Sequence, residues 1–173
     1  RTGKEYEDSH NKDVWVIPAA GGDLVRISDH PFDDAQPRWS PDGAQLAFTG
    51  ENKRRELPKL YIAPATGGAA KLAVDDLDLI PTDLAWPAPR TLRFQTGNKG
   101  TTHLFRVDLD ARKISPVTTG ERAVRAADFN AATNTIIYLA NDFRHLDDLY
   151  AAALDSRTGE AKDERQLTHL NTR

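Results

Sequence analysis

The chain breaks into short apolar runs of about five residues, separated by clusters of Pro, Gly, Asn and Asp. Some runs mix polar and apolar residues, as in Gln45-Leu46-Ala47-Phe48-Thr49, and others are nearly all apolar, as in Thr135-Ile136-Ile137-Tyr138-Leu139. Both patterns read as β-strands with one or two buried faces. Few windows carry a 3.6-residue period, and ten prolines and eleven glycines punctuate the chain, so a long-helix reading fails. The clearest stretch runs from Pro37 to Phe48. Arg38-Trp39 closes one strand, Pro41-Asp42-Gly43 makes a tight turn, and Gln45-Leu46-Ala47-Phe48-Thr49 returns. Pro presets φ, Asp bonds its own turn, and Gly accepts positive φ without a Cβ clash.

The runs repeat. Trp39, Trp86 and Phe129 are spaced by 47 and 43 residues; Phe48, Phe94 and Tyr138 by 46 and 44; Trp15, Tyr61, Phe105 and Tyr150 by 46, 44 and 45. Each unit holds four strand signals. In the best one they are Arg38-Trp39, Gln45 to Thr49, Lys59 to Ala63, and a short run at Lys71-Leu72. The turn Pro64-Ala65-Thr66-Gly67-Gly68 has a counterpart 46 residues earlier in Pro18-Ala19-Ala20-Gly21-Gly22. The later units replace Pro-Asp-Gly by Pro87-Ala88-Pro89 and by Asn130 to Asn134. The fourth-strand position is read at Ile27, Leu72, Val117 and Leu167.

Four-stranded units of roughly 40–50 residues point to a β-propeller. A β-sandwich also has short strands, but it does not predict three matched aromatic series. The expected fold class is all-β, a partial propeller of about three and a half four-stranded antiparallel blades. The whole chain, 1–173, reads as a single propeller fragment: a half-blade at 13–28, then blades near 36–73, 82–118 and 124–168. The large aromatics are expected between adjacent blades, each burying surface worth ~1.5–3 kcal/mol. A closed propeller has about four to eight blades, so such an arc would leave two blade faces bare. Each face would cover roughly 300 Å², the size of the largest apolar patch on an ordinary monomer. The expectation is a piece of a larger propeller, or one completed by a partner chain.

Composition narrows the partners. With 173 residues the chain can build one real core, and its net charge of −3 offers no basic surface to nucleic acid or an anionic membrane. No apolar run approaches the ~20 residues of a membrane helix. Arg1 to Lys12 is too polar for a signal peptide. The absence of any methionine is read as processing or excision from a longer chain, and zero cysteines exclude disulfides. The expected chain is soluble, with cytoplasm and periplasm both open.

Candidate chemistry is sparse. Ser9, Ser28, Ser40, Ser115 and Ser156 sit in turn or strand-end contexts, and none lies in Gly-x-Ser-x-Gly. His10, His30, His103, His145 and His169 lack metal spacing and read as surface or loop residues. Asp33-Asp34, Asp75-Asp76 with Asp78, and Asp147-Asp148 read as solvated loops or strand-edge charges, although several oxygens together could take Ca²⁺. Gly97-Asn98-Lys99-Gly100 is a hairpin connection, not a phosphate loop. Glu51 to Glu56 and Asn141-Asp142-Phe143-Arg144-His145 are loops at equivalent places. In the second, Phe143 and Arg144 are the pair for an interdomain or substrate-edge role. No catalytic, cofactor-binding or metal-binding residue is nominated, and no cofactor.

The succession of an apolar–aromatic–apolar strand, a Gly-Gly turn, a short strand and Pro37-Arg38-Trp39-Ser40-Pro41-Asp42-Gly43 resembles a known repeat. It is that of TolB-type proteins and of the propeller domain of prolyl oligopeptidase family serine peptidases. The resemblance is near-verbatim over Asp13 to Thr49, moderate over Lys59 to Phe94 and only patterned beyond. Loss of Trp-Ser-Pro-Asp-Gly in later units tilts it towards the peptidases. So does the ending Arg165-Gln166-Leu167-Thr168-His169-Leu170-Asn171, which resembles the last propeller strand of acylaminoacyl-peptidase and dipeptidyl-peptidase relatives. The resemblance implies a non-catalytic propeller portion that gates substrate and docks an α/β-hydrolase domain lying after Arg173. The alternative is a TolB-like periplasmic propeller that binds proteins and carries no enzyme. Implied partners are the chain's own hydrolase domain or further blades, a peptide substrate of the parent, and a second copy at the open faces.

Overall fold

The computed structural model describes residues 11–53 and 55–170, and every regular element among them is a strand. β1 (Trp15–Val16) and β2 (Val25–Arg26) form an antiparallel half-blade. The first blade runs β3 (Asp34–Trp39), β4 (Gln45–Gly50), β5 (Lys59–Pro64) and β6 (Lys71–Leu72). The second runs β7 (Thr82–Ala88), β8 (Thr91–Asn98), β9 (Thr101–Asp108) and β10 (Lys113–Pro116). The third runs β11 (Ala123–Asn130), β12 (Thr135–Asn141), β13 (Asp148–Leu154) and β14 (Ala161–Gln166). Within each blade every strand pairs antiparallel with the next. This is a partial β-propeller of three and a half blades.

Period-2 alternation sends each strand's side chains into two different seams. Leu46 and Phe48 of β4 pack with Val14, Ile27, Tyr61 and Ala63 at the half-blade. Ala47, between them, joins Leu60, Leu84, Leu92, Phe94 and Val107 in the seam of the first and second blades. Leu104, Val117, Val124, Ile136 and Tyr138 fill the next seam. The half-blade leaves Trp15, Ile17 and Leu24 exposed, and Ile137 is exposed on β12 of the last blade.

The aromatic series resolve into a pairing rule. Phe48 lies directly opposite Tyr61, Phe94 opposite Phe105, and Tyr138 opposite Tyr150. Their rings stack at 5.7, 5.7 and 6.0 Å between centroids. Such cross-strand pairs stabilise a sheet by ~0.2–1 kcal/mol relative to a pair of alanines. The remaining series behaves differently. Trp86 is 8% exposed, whereas Trp39 is 51% exposed and does not pack between blades as expected.

The fourth-strand position also shifts in one blade. The N–H groups of Ile27, Ala73, Val117 and Leu167 donate to the carbonyls of Val14, Leu60, Leu104 and Leu149. The equivalent residue in the first blade is therefore Ala73, not Leu72. The next residue supplies a hydroxyl in three of the four units. Ser28, Thr118 and Thr168 accept from the N–H of Val14, Leu104 and Leu149 at 2.8, 3.1 and 2.8 Å.

Each first strand carries a bulge at the same level. Gln36, Asp83 and Ala126 have φ of 54°, 49° and 50°, and pairing with the second strand slips there. The bulge turns the Gln36 amide towards the next blade. Its Nε2 donates to the Pro81 carbonyl at 2.9 Å and its Oε1 accepts from the Leu84 N–H at 3.2 Å.

Candidate functional site

In a propeller the blades surround a central channel, with the first strand of each blade innermost. Here the first strands of the three full blades, β3, β7 and β11, enclose a cavity of about 360 Å³. The third aromatic series, Trp39, Trp86 and Phe129, lines it. Arg93, Gln95 and Asp128 line it as well. The volume lies at the lower end of that of small-molecule sites.

Arg93 is the unusual residue. It sits on β8 between Leu92 and Phe94, both fully buried in the opposite seam. Alternation therefore sends Arg93 to the third-blade side, where its guanidinium carbon lies 4.0 Å from the Phe129 ring centroid. Nε and Nη1 are buried and have no hydrogen-bond partner. The Trp86 Nε1 and the Gln95 Oε1 are buried and unpartnered too. Burial, reinforced by the neighbouring Arg106 cation, pulls the Arg93 guanidinium down to about 10. Arg106 itself is paired with Asp108 at 2.9 Å. At the rim Arg38 donates to the Pro37 carbonyl and Asp128 accepts from the Phe129 N–H, and the exposed Asp83 lines the cavity beside them.

The serines and histidines take structural places. Ser40 donates to Asp42 at 2.6 Å, while Asp42 accepts from the Ala44 N–H and Ser40 from the Gln45 N–H. Gly43 completes this turn with φ of 72°. The Ser40 hydroxyl holds the Asp42 carboxyl below its usual range. Ser28, His30 and Asp34 come together, a combination with the residue types of a catalytic triad. Yet Ser28 is 1% exposed and its oxygen is held by the Val14 N–H. His30 contacts Asp34 at 2.7 Å and lies against the Phe48 and Tyr61 rings. Burial raises the Asp34 carboxyl, against the pull of Ser28 and His30. The cluster closes onto Gly50, where a Cβ would stand 2.4 Å from Asp34 Oδ1 and 2.9 Å from His30 Nδ1. No approach remains for a reacting carbonyl.

His103 is a buried strand residue, not a surface one: its Nε2 contacts the Gly120 carbonyl at 2.9 Å and its Nδ1 the Thr118 hydroxyl at 3.3 Å. His145 contacts Asp142 at 2.9 Å in the loop after β12, and that contact holds the carboxyl down to about 2. Ser115 lies in β10, Ser156 in an exposed turn, and His169 is exposed. Ser9 and His10 lie outside the described residues.

The acidic clusters are split among protein partners. Asp33 pairs with Lys12, Asp75 with Arg112 and Asp147 with Arg125. Asp148 accepts from Gln166, Thr168 and the Leu170 N–H. Among the described residues no group of three or more His, Asp or Glu converges as a metal site, and no helix is long and apolar enough to cross a membrane. Asn98 faces Thr101 across the turn Lys99-Gly100, with φ of 50° and 86°, the geometry of a two-residue hairpin. Asn52, in the loop before β5, donates to the Tyr61 hydroxyl. Phe143 is 97% exposed, with Arg144 exposed beside it.

No family model matches the chain. Dipeptidyl-peptidase 5 of Porphyromonas gingivalis is 25% identical over 155 residues, covering 87% of this chain and 22% of the relative. The chain thus spans about a fifth of the length of that curated relative. This chain is a β-propeller by structural likeness. A putative TolB from Agrobacterium tumefaciens superposes with a TM-score of 0.68 at 16% identity, over 95% of this chain and 59% of that one. The acylaminoacyl peptidase of Pyrococcus horikoshii superposes with 0.66 at 20% identity, over 91% of this chain and 23% of that one.

The cavity is what reading the sequence missed. A signal was present. At the position before the second-strand aromatic, the three blades carry Ala47, Arg93 and Ile137. The arginine is the departure.

Proposed function

We propose that this chain is a non-catalytic propeller portion of a serine peptidase of the acylaminoacyl-peptidase type, gating peptide substrate and docking a hydrolase domain encoded after Arg173. The supporting observation is the likeness to a dipeptidyl-peptidase that runs through nearly the whole arc of blades. A non-catalytic role is supported by the Ser28-His30-Asp34 grouping, whose serine is 1% exposed and accepts from the Val14 N–H. The exposed faces, with Trp15, Ile17 and Leu24 at one end and Ile137 at the other, would meet the remaining blades of the parent or a second copy of the chain. The exposed Phe143 and Arg144 would stand at the interdomain or substrate edge.

The test has two parts. The purified chain is expected to leave acylated and unblocked peptides intact, whereas the full-length gene product cleaves them. The coding sequence after Arg173 is expected to hold Gly-x-Ser-x-Gly followed by Asp and His. A stop codon there, or further Trp-Ser-Pro-Asp-Gly repeats, would replace this reading with the TolB-like one, a protein-binding propeller with no enzyme. That second reading is favoured by the slightly closer superposition on the TolB structure.

A further inference from the structure

Blade repeats make Arg93 conspicuous. Its equivalents, Ala47 and Ile137, are apolar, and Ala47 is fully buried in a seam. Arg93 is half-buried, with Nε and Nη1 out of water; a cation so placed without a counter-ion costs stability, and apolar replacements of similar volume are commonly neutral or stabilising. Among the described residues this guanidinium makes no ion pair, and its contact of note is the face of Phe129. The neighbouring cation Arg106 repels it.

The unpartnered atoms concentrate around one space. Trp86 Nε1, Arg93 Nε and Nη1, and Gln95 Oε1 are buried and lack a hydrogen-bond partner among the described residues. All three residues line the 360 Å³ cavity. Native proteins leave few such groups, and a cluster of them marks a place completed by something else. The volume corresponds to roughly a dozen waters at ~30 Å³ each, or to one small organic molecule. Trp39, half exposed at the mouth, supplies a flat wall that the seams do not need.

We propose that the cavity among β3, β7 and β11 binds a carboxylate carried on an apolar or aromatic body, with Arg93 as counter-ion and Trp39, Trp86 and Phe129 as walls. A planar guanidinium matches a carboxylate through two parallel hydrogen bonds. The aromatic walls take the apolar body, and the Trp86 indole N–H and the Gln95 amide are polar groups beside it. The carboxylate comes either from a peptide C-terminus ending in an apolar residue or from a free small acid. This site is independent of whether a hydrolase domain follows the chain.

Two of the three tryptophans line the cavity, so intrinsic fluorescence and calorimetry both report on it. The probes are phenylacetate against its neutral counterpart phenylacetamide, and acetyl-Ala-Phe as free acid against its C-terminal amide. Saturable binding of at least one acid is expected, at least tenfold tighter than its amide, as befits loss of one charge-assisted contact. A tighter peptide acid assigns the peptide source, and a tighter phenylacetate the small-acid source. Arg93→Met should abolish the acid preference while melting no lower than the parent. Should that variant fail to fold, Trp39→Ala, at an exposed wall, should weaken acid binding several-fold with the fold retained. Equal binding of acid and amide, an undiminished acid preference in Arg93→Met, or no saturable binding of either acid up to ~10 mM would overturn the proposal.

Discussion

The two faces of β8 solve opposite problems with adjacent residues. On one face Leu92 and Phe94 are fully buried against the first blade, among Leu84, Trp86 and Val107. On the other, Arg93 and Gln95 turn towards the third blade and leave polar atoms unpartnered beside a cavity. The backbone and register are shared, so the contrast lies in the side chains and in the blade that each face meets. One seam is optimised for cohesion. The other surrenders some cohesion around a space, and its remaining apolar contacts, Leu104, Ile136 and Tyr138, hold the blades together beside it.

Substitutions can break this contrast or sharpen it. The largest effect is expected from Leu92→Ala on the sealed face, a loss of ~2–5 kcal/mol in denaturant unfolding. If Leu92→Ala proves milder than ~1 kcal/mol, the seam relaxes into the deleted volume and the contrast is weaker than drawn. Next is Gly50→Ala at the half-blade seam, where the new methyl group meets Asp34 and His30. Overpacking of this kind costs ~1–3 kcal/mol, read as a lower denaturation midpoint with unchanged slope. Ser40→Ala removes hydrogen bonds to Asp42 and from Gln45, for a loss of ~1 kcal/mol read in denaturant unfolding.

The smallest effect is a pH dependence in the third blade. Arg122 grips Glu164 through two contacts of 2.7 and 2.6 Å, and the Tyr138 hydroxyl donates to the same carboxylate. This grip holds the Glu164 carboxyl below its usual range. A depressed carboxylate contributes stability above its unfolded value and loses it as pH falls through the folded one. Thermal melts should therefore fall in acid more steeply for the parent than for Glu164→Gln. Parallel curves would remove Glu164 from the acid response.

Much of the architecture was legible because aromatic residues are large enough to mark blade positions in one sequence. The pairs Phe48–Tyr61, Phe94–Phe105 and Tyr138–Tyr150 are what the 45-residue period was reporting. Two things escaped. Trp39 looked like its buried counterparts, since spacing fixes the level along a strand and not what stands opposite. The bulges at Gln36, Asp83 and Ala126 carry positive φ without glycine, so no turn former announced them. The site was hidden for a related reason. Thr91-Leu92-Arg93-Phe94-Gln95 alternates as a strand with a wet face should, and only the third blade packed over that face makes Arg93 half-buried.

The Gln36 bridge has a consequence for exchanging parts. Its amide engages both a carbonyl and an N–H of the following blade, whereas Asp83 at the corresponding place offers no donor and Ala126 neither donor nor acceptor. The blades are therefore not interchangeable units, despite their common outline. The first and second form a keyed couple, and a chimera that moved either one alone would inherit a lock without its key.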